Sequence, residues 1–137
     1  MGNTKSLGIA YTDQDLVGSD TVYVAGVLGY STAAQGTVTQ ATSKSTGVTL
    51  NKSAGQITMN NAALLGATAV SFTLTNSFIS SNDIIILNVG SGATAAAYTA
   101  YVSSLGAGSA VLTLRNMTAA TSLSEAVVLN FAVIHCA

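Results

Sequence analysis

His135 and Cys136 are adjacent, and they are the only histidine and the only cysteine in the chain. Nucleophilic catalysis would need this histidine beside a nucleophile and a carboxylate. Two neighbouring residues of a strand point to opposite faces, so they cannot close on one zinc ion unaided. We therefore predict no metal site and no cofactor, and a structural role for His135. One alternative stays open, an ion held where three copies of His135 meet on a trimer axis.

The carboxylates are few and lie far apart in the sequence, which argues against paired acid–base catalysis. Asp83 opens a predicted strand after a turn, a position typical of turn capping. Glu125 follows Ser122 at the spacing of a capping box, which predicts one helical turn before the final strand. We predict that the protein is not an enzyme.

Composition excludes several kinds of partner. Charged residues make up 7% of the 137 residues, against roughly 25% in a typical soluble domain. Four lysines and arginines cannot form a phosphate-binding patch, so nucleic acid is not expected as a partner. No apolar run approaches the ~18 residues of a membrane-spanning helix. A net charge of −1 protects poorly against association, which favours a surface covered by other subunits.

The hydrophobic pattern predicts strands throughout the second part of the chain. Residues 69–76 alternate, with Val70, Phe72 and Leu74 on one face. Residues 127–135 are apolar on both faces, which is typical of a strand in the middle of a sheet. Further strands are predicted at 37–40, 48–50, 55–59, 83–90, 98–103 and 110–115. About eight short strands indicate an all-β protein, an antiparallel, jelly-roll-like β-sandwich with an extended N-terminal arm.

The predicted arm spans residues 1–35, and the sandwich domain spans residues 36–137. The arm holds three of the five carboxylates and one lysine, so the charge of the chain is divided unevenly. It also contains a strand-like run at 21–25, followed by a glycine-punctuated piece. We predict that the arm is an anchor. Its expected docking residues are Asp13, Asp15, Asp20, Tyr23 and Tyr30.

Four stretches of the sandwich domain carry a family resemblance. They are residues 36–53 (GTVTQATSKSTGVTLNKS), 55–59 (GQITM), 70–76 (VSFTLTN) and 122–134 (SLSEAVVLNFAVI). In this order they resemble small virion proteins of tailed bacteriophages. The resemblance implies head decoration (cement) or head-fibre proteins, or fibre tips, commonly trimeric with a β-sandwich domain. It supplies no catalytic residues.

The resemblance leads to an expected function. We expect a homotrimer on the outer surface of a phage head, assembled in the bacterial cytoplasm, whose arm grips the major capsid protein. The alternative is a fibre-tip or head-fibre domain that binds host surface glycans. Two strands that are apolar on both faces exceed what one sandwich core requires. We therefore expect a subunit contact around Asn130, Ile134 and His135.

Overall fold

A computed structural model describes residues 21–136, which form two packed four-stranded sheets. The strands are β1 (Gln35–Thr39), β2 (Val48–Thr49), β3 (Ala54–Thr58), β4 (Ala69–Thr75), β5 (Ile84–Ser91), β6 (Tyr98–Gly106), β7 (Ser109–Asn116) and β8 (Val128–Ile134). Sheet A has the order β1-β3-β8-β5, and sheet B has the order β2-β4-β7-β6. A 3₁₀ turn, Thr32–Ala34, precedes β1. The predicted all-β sandwich of eight strands is confirmed.

Both sheets are mixed, whereas the sequence pattern predicted antiparallel pairing. β1 pairs parallel with β3, and β2 pairs parallel with β4; the other pairs are antiparallel. The cause is the path of the chain, which alternates between the sheets from β1 to β5. Because β2 returns through sheet B, β3 re-enters sheet A in the same direction as β1. Strand spacing alone does not reveal this crossing.

The core lies between the sheets and is built by alternate residues of the central strands. On β8, Leu129, Phe131 and Val133 point inward and are almost completely buried. Leu112 and Leu114 of β7 face them with no exposed surface. The prediction that the 127–135 strand is central is confirmed, since β8 lies between β3 and β5. Val70, Phe72 and Leu74 also point inward, as their alternation predicted.

The strand-like run at 21–25 forms no strand in the described part of the chain, where no strand pairs with it and every residue of the run is exposed. One local prediction was wrong. Residues 117–127 contain no helical turn despite the Ser122–Glu125 spacing. The Glu125 carboxylate instead accepts a hydrogen bond from the Thr94 hydroxyl at 2.6 Å. The predicted boundary between arm and domain falls at the first residue of β1.

Buried amide side chains organise the loops. The Asn116 amide nitrogen donates to the carbonyls of Leu64 and Thr121, each at 2.9 Å. The Asn76 amide nitrogen donates to the Lys52 carbonyl at 2.7 Å. Both asparagines are completely buried, so these bonds replace the ones lost to water. These amides are structural groups with satisfied partners, and they are not free to hold a ligand.

Candidate functional site

The one close grouping of serine, aspartate and histidine in the described chain lies where β5 begins and β8 ends. The Ser80 hydroxyl donates to Asp83 Oδ1 at 2.6 Å, and the Ser80 backbone N–H donates to Asp83 Oδ2 at 2.8 Å. His135 Nδ1 lies 2.9 Å from Asp83 Oδ2, and the backbone N–H of Cys136 donates to Asp83 Oδ1 at 3.2 Å. We call these four residues the Asp83 cluster.

The Asp83 cluster does not have the geometry of a nucleophilic triad. A catalytic serine must hydrogen-bond the histidine, whereas the Ser80 hydroxyl bonds the carboxylate. His135 is more than half exposed, at 56%, while the Asp83 side chain is 1% exposed. The two bonds from Ser80 lower the pKa of Asp83 to about 2, with smaller help from Cys136 and His135 and against the opposing effect of burial. The cluster therefore caps the turn, as predicted for Asp83, and fastens residues 135–136 to the start of β5.

A second polar cluster surrounds Lys44, which is 3% exposed. Its ammonium group donates to the carbonyls of Asn60 and Glu125, each at 2.5 Å. Burial lowers the pKa of Lys44, and the nearby Glu125 charge opposes that shift. Lys44 thus joins the β1–β2 loop to the residues after β3 and to those before β8. This role is structural, because the charged ammonium group binds backbone carbonyl oxygens.

Tyr98 and Glu125 lie next to this cluster. Burial first, and then the Glu125 carboxylate, raise the pKa of Tyr98 to about 12. The phenol and the carboxylate are close enough to affect each other's pKa, but the Tyr98 hydroxyl and Glu125 Oε2 are not hydrogen-bonded to each other or to any other described residue. A cavity of about 300 Å³ lies beside Tyr98 and is lined mainly by the small residues of loop 91–96. It presents no convergent set of charged groups.

The outer face of sheet A is the part of the sandwich that most resembles a contact surface. Ile84 and Ile86 of β5 and Ile134 of β8 point outward and are 46–56% exposed. Register places Ile84 opposite Ile134, and Ile86 opposite Ala132, so these residues adjoin. We call Ile84, Ile86, Ala132 and Ile134 the isoleucine patch. Contiguous exposed apolar residues mark contact sites more often than isolated ones do.

A row of amides borders the isoleucine patch. Asn130 lies opposite both Asn88 and Gln56, and the Gln56 amide nitrogen donates to Asn130 Oδ1 at 3.1 Å. The Asn130 side chain lies over Gly90, where an added Cβ would come within 2.5 Å of its Nδ2. A groove of about 460 Å³ extends from this row to Thr32 and contains no charged side chain.

The segment before β1 is joined to the sandwich at Tyr30. The Tyr30 hydroxyl donates to the Val133 carbonyl, and the Gln35 amide donates to the Tyr30 carbonyl at 2.8 Å. The residues before Tyr30 expose large apolar side chains: Tyr23 is 93% exposed, Val27 95% and Leu28 86%. A protein surface rarely carries so much apolar area in one stretch unless a partner covers it.

The predicted site residues therefore separate into several places. Asn130 and Ile134 share the outer face of sheet A, while His135 lies past the end of β8 in the Asp83 cluster. Tyr30 contacts its own sandwich, and Tyr23 is almost fully exposed. Asp13, Asp15 and Asp20 lie outside the described residues. The roles of these residues in anchoring and in subunit contact stay predictions.

Sequence reasoning missed the buried Lys44 and the partnership of Ser80 with Asp83. The partners of Lys44 are carbonyls distant in the chain, so no local pattern signals them. Ser80 stands three residues before Asp83, which is a readable turn signal. His135 could not be linked to Asp83 before the pairing of β5 with β8 was known.

Comparison with known proteins gives no further assignment: no family model, curated protein or solved structure matches the chain. Within residues 21–136, no three or more histidine, cysteine, aspartate or glutamate side chains form a group that could hold a metal ion. The same residues include no helix long and apolar enough to cross a membrane.

Proposed function

We propose that this protein is a structural protein of a tailed-phage virion, a homotrimer that decorates the head and binds the major capsid protein through residues 1–35. The observation that carries the proposal is the coexistence of two exposed apolar regions among the described residues, the isoleucine patch and residues 22–28. The family resemblance of residues 36–137 supplies the virion context. A shell-stabilising protein acts through contacts that exist only in the assembled particle.

The polar clusters support the same proposal. The Asp83 cluster and the Lys44 cluster each join chain segments, and neither presents an activated nucleophile. A decoration protein needs a rigid sandwich and exposed contact surfaces, and three arms on one trimer would add their individually weak contacts.

Copy number tests this function against the fibre-tip alternative. The measurement is quantitative mass spectrometry of purified particles of the phage that encodes the chain. We expect hundreds of copies per particle. We also expect heads to lose stability when the protein is removed. A handful of copies would point to the fibre tip, and absence from the particle would refute the virion assignment.

The predicted arm has its own test. Asp13→Asn, Asp15→Asn and Asp20→Asn are introduced together, and binding to heads lacking the protein is measured by sedimentation. Binding is expected to weaken and to lose part of its salt dependence, because three charges are removed from the anchor. Arg115→Gln, a charge change at an exposed position of β7, is the control and should bind normally. Equal binding by all variants would remove these aspartates from the anchor.

A further inference from the structure

We infer that residues 21–28 of one copy add a strand to the free edge of β5 in a second copy, so that the copies are linked by exchanged segments. This inference rests on the assembly part of the proposed function and names the surfaces that meet. Within the described residues it joins two features, a strand-like segment without a sheet and a strand edge without a hydrogen-bonded partner.

The first feature is the segment. Thr21-Val-Tyr-Val-Ala25 has the β-branched and aromatic residues of a strand, and its side chains alternate. Among residues 21–136 it has no strand partner, and all its residues are exposed. Residues 21–28 can span up to ~26 Å when extended, which is enough to follow the six residues Ile84–Val89.

The second feature is the edge of β5. This strand pairs with β8 on one side only, and none of its backbone groups bonds to another described loop or strand. Residues Ile84–Val89 contain no proline, lysine or other charge, and the register shifts only after Val89. Natural edge strands usually carry prolines, charged residues or register shifts, which prevent pairing with another chain. The inward residues Ile85 and Leu87 are only partly buried, so an added strand would cover them further.

The attachment of Tyr30 favours a second copy over the segment's own β5. The Val133 N–H donates to the Ser53 carbonyl, so the polar backbone groups of Val133 point away from β5. Tyr30 binds the carbonyl on that same side. The segment is therefore held on the side of β8 opposite to its own β5 edge. The contact joins two different surfaces, and three such contacts can close a ring.

Two variants test the inference by sedimentation of the purified full-length protein. Val24→Pro damages the segment, because proline lacks the N–H that a ladder needs. Ile84→Lys with Ile86→Lys damages the edge at exposed positions. The wild type should be a trimer, and each variant should raise the subunit dissociation constant about 100-fold. Thr73→Lys with Thr75→Lys, at the same spacing on the exposed face of sheet B, is the control and should stay trimeric.

Mixing the two damaged proteins gives the decisive result. One retains an intact β5 edge and the other an intact segment, so a mixture should form a one-to-one complex that neither forms alone. A monomeric wild type, a trimeric Val24→Pro variant, or a mixture without any complex would each overturn the inference. Circular dichroism of each variant verifies that the sandwich is folded.

The assay contains no phage particles, so it is separate from the head-binding test. Exchange-linked trimers that do not bind heads would refute the proposed function and leave this inference intact. Monomers that bind heads would refute this inference and the trimer, and would leave the head-binding part of the proposed function intact.

Discussion

The outer faces of the two sheets cover the same core but differ in chemistry. Sheet A presents isoleucines at 46–56% exposure beside a row of amides. Sheet B presents mainly serine and threonine, with Tyr101 as its one exposed large apolar side chain among the described strands. The difference indicates which face gains from a partner, because burying an isoleucine releases water while burying a hydroxyl requires a new hydrogen bond.

Three outward hydroxyls in the middle of sheet B are paired with each other. The Thr113 hydroxyl lies 2.8 Å from the Ser71 hydroxyl and also contacts the Ser103 hydroxyl, which joins β4, β7 and β6. Thr113 is 2% exposed although it points away from the core. These three paired hydroxyls therefore have little to offer a second protein.

The largest loss of stability is expected from substitutions in the core that the two sheets share. Leu129→Ala in β8 and Leu112→Ala in β7 each remove a completely buried side chain from a central strand. Each should lower the free energy of unfolding by about 2–5 kcal/mol, measured by urea denaturation. If only one of the two substitutions lowered the free energy of unfolding, the two sheets would not unfold as a single cooperative unit. Their outer faces could then not be compared as two sides of one core.

A smaller loss of stability is expected when the hydroxyl contacts of sheet B are removed. Thr113→Val keeps the shape but leaves Ser71 and Ser103 without this partner, so stability should fall by about 0.5–1.5 kcal/mol. The matched variant is Thr73→Val, on the same face but exposed, and it should be nearly neutral. Equal thermal midpoints for both variants would show that the paired hydroxyls do not stabilise sheet B.

A pH dependence of stability is expected from the Asp83 cluster of sheet A. The pKa of Asp83 is lowered from 3.8 to about 2 in the folded protein. Its contribution to stability is therefore complete above pH 3.8 and is lost as the pH falls towards 2. Unfolding measured across this range should show a steeper loss for the wild type than for Asp83→Asn. Parallel curves would mean that the Asp83 cluster does not stabilise the start of β5.

Much of the architecture could be predicted from alternation alone. The strand at 69–75 matched its predicted inward residues, because a period of two fixes which side chains share a face. The strand at 128–134 was predicted to be central because it is apolar on both faces, and it is central. The strand-like run at 21–25 has no partner strand among the described residues, since propensity does not supply one. Parallel pairing was missed because it depends on which sheet each strand joins.

The candidate sites were less predictable than the fold. Ile134 and Asn130 could be proposed for a contact because β8 is apolar on both faces. His135 contacts Asp83, which lies 52 residues earlier in the chain. Lys44 binds carbonyls that lie 16 and 81 residues later in the chain. Spacing in the sequence carries no information about such distant hydrogen bonds.

The position of β8 determines when the protein can fold during synthesis. All four strands of sheet B precede residue 117, whereas β5 has no strand partner until residues 128–134 exist. At ordinary translation rates, β5 stays unpaired for roughly 2–9 s after Ser91 is made. The β6–β7 hairpin can form within that interval, since its two strands are adjacent in the chain. The nascent chain must therefore carry an uncharged, isoleucine-rich strand that has no hydrogen-bonded partner strand. Each ribosome on the same messenger RNA holds another copy of this strand.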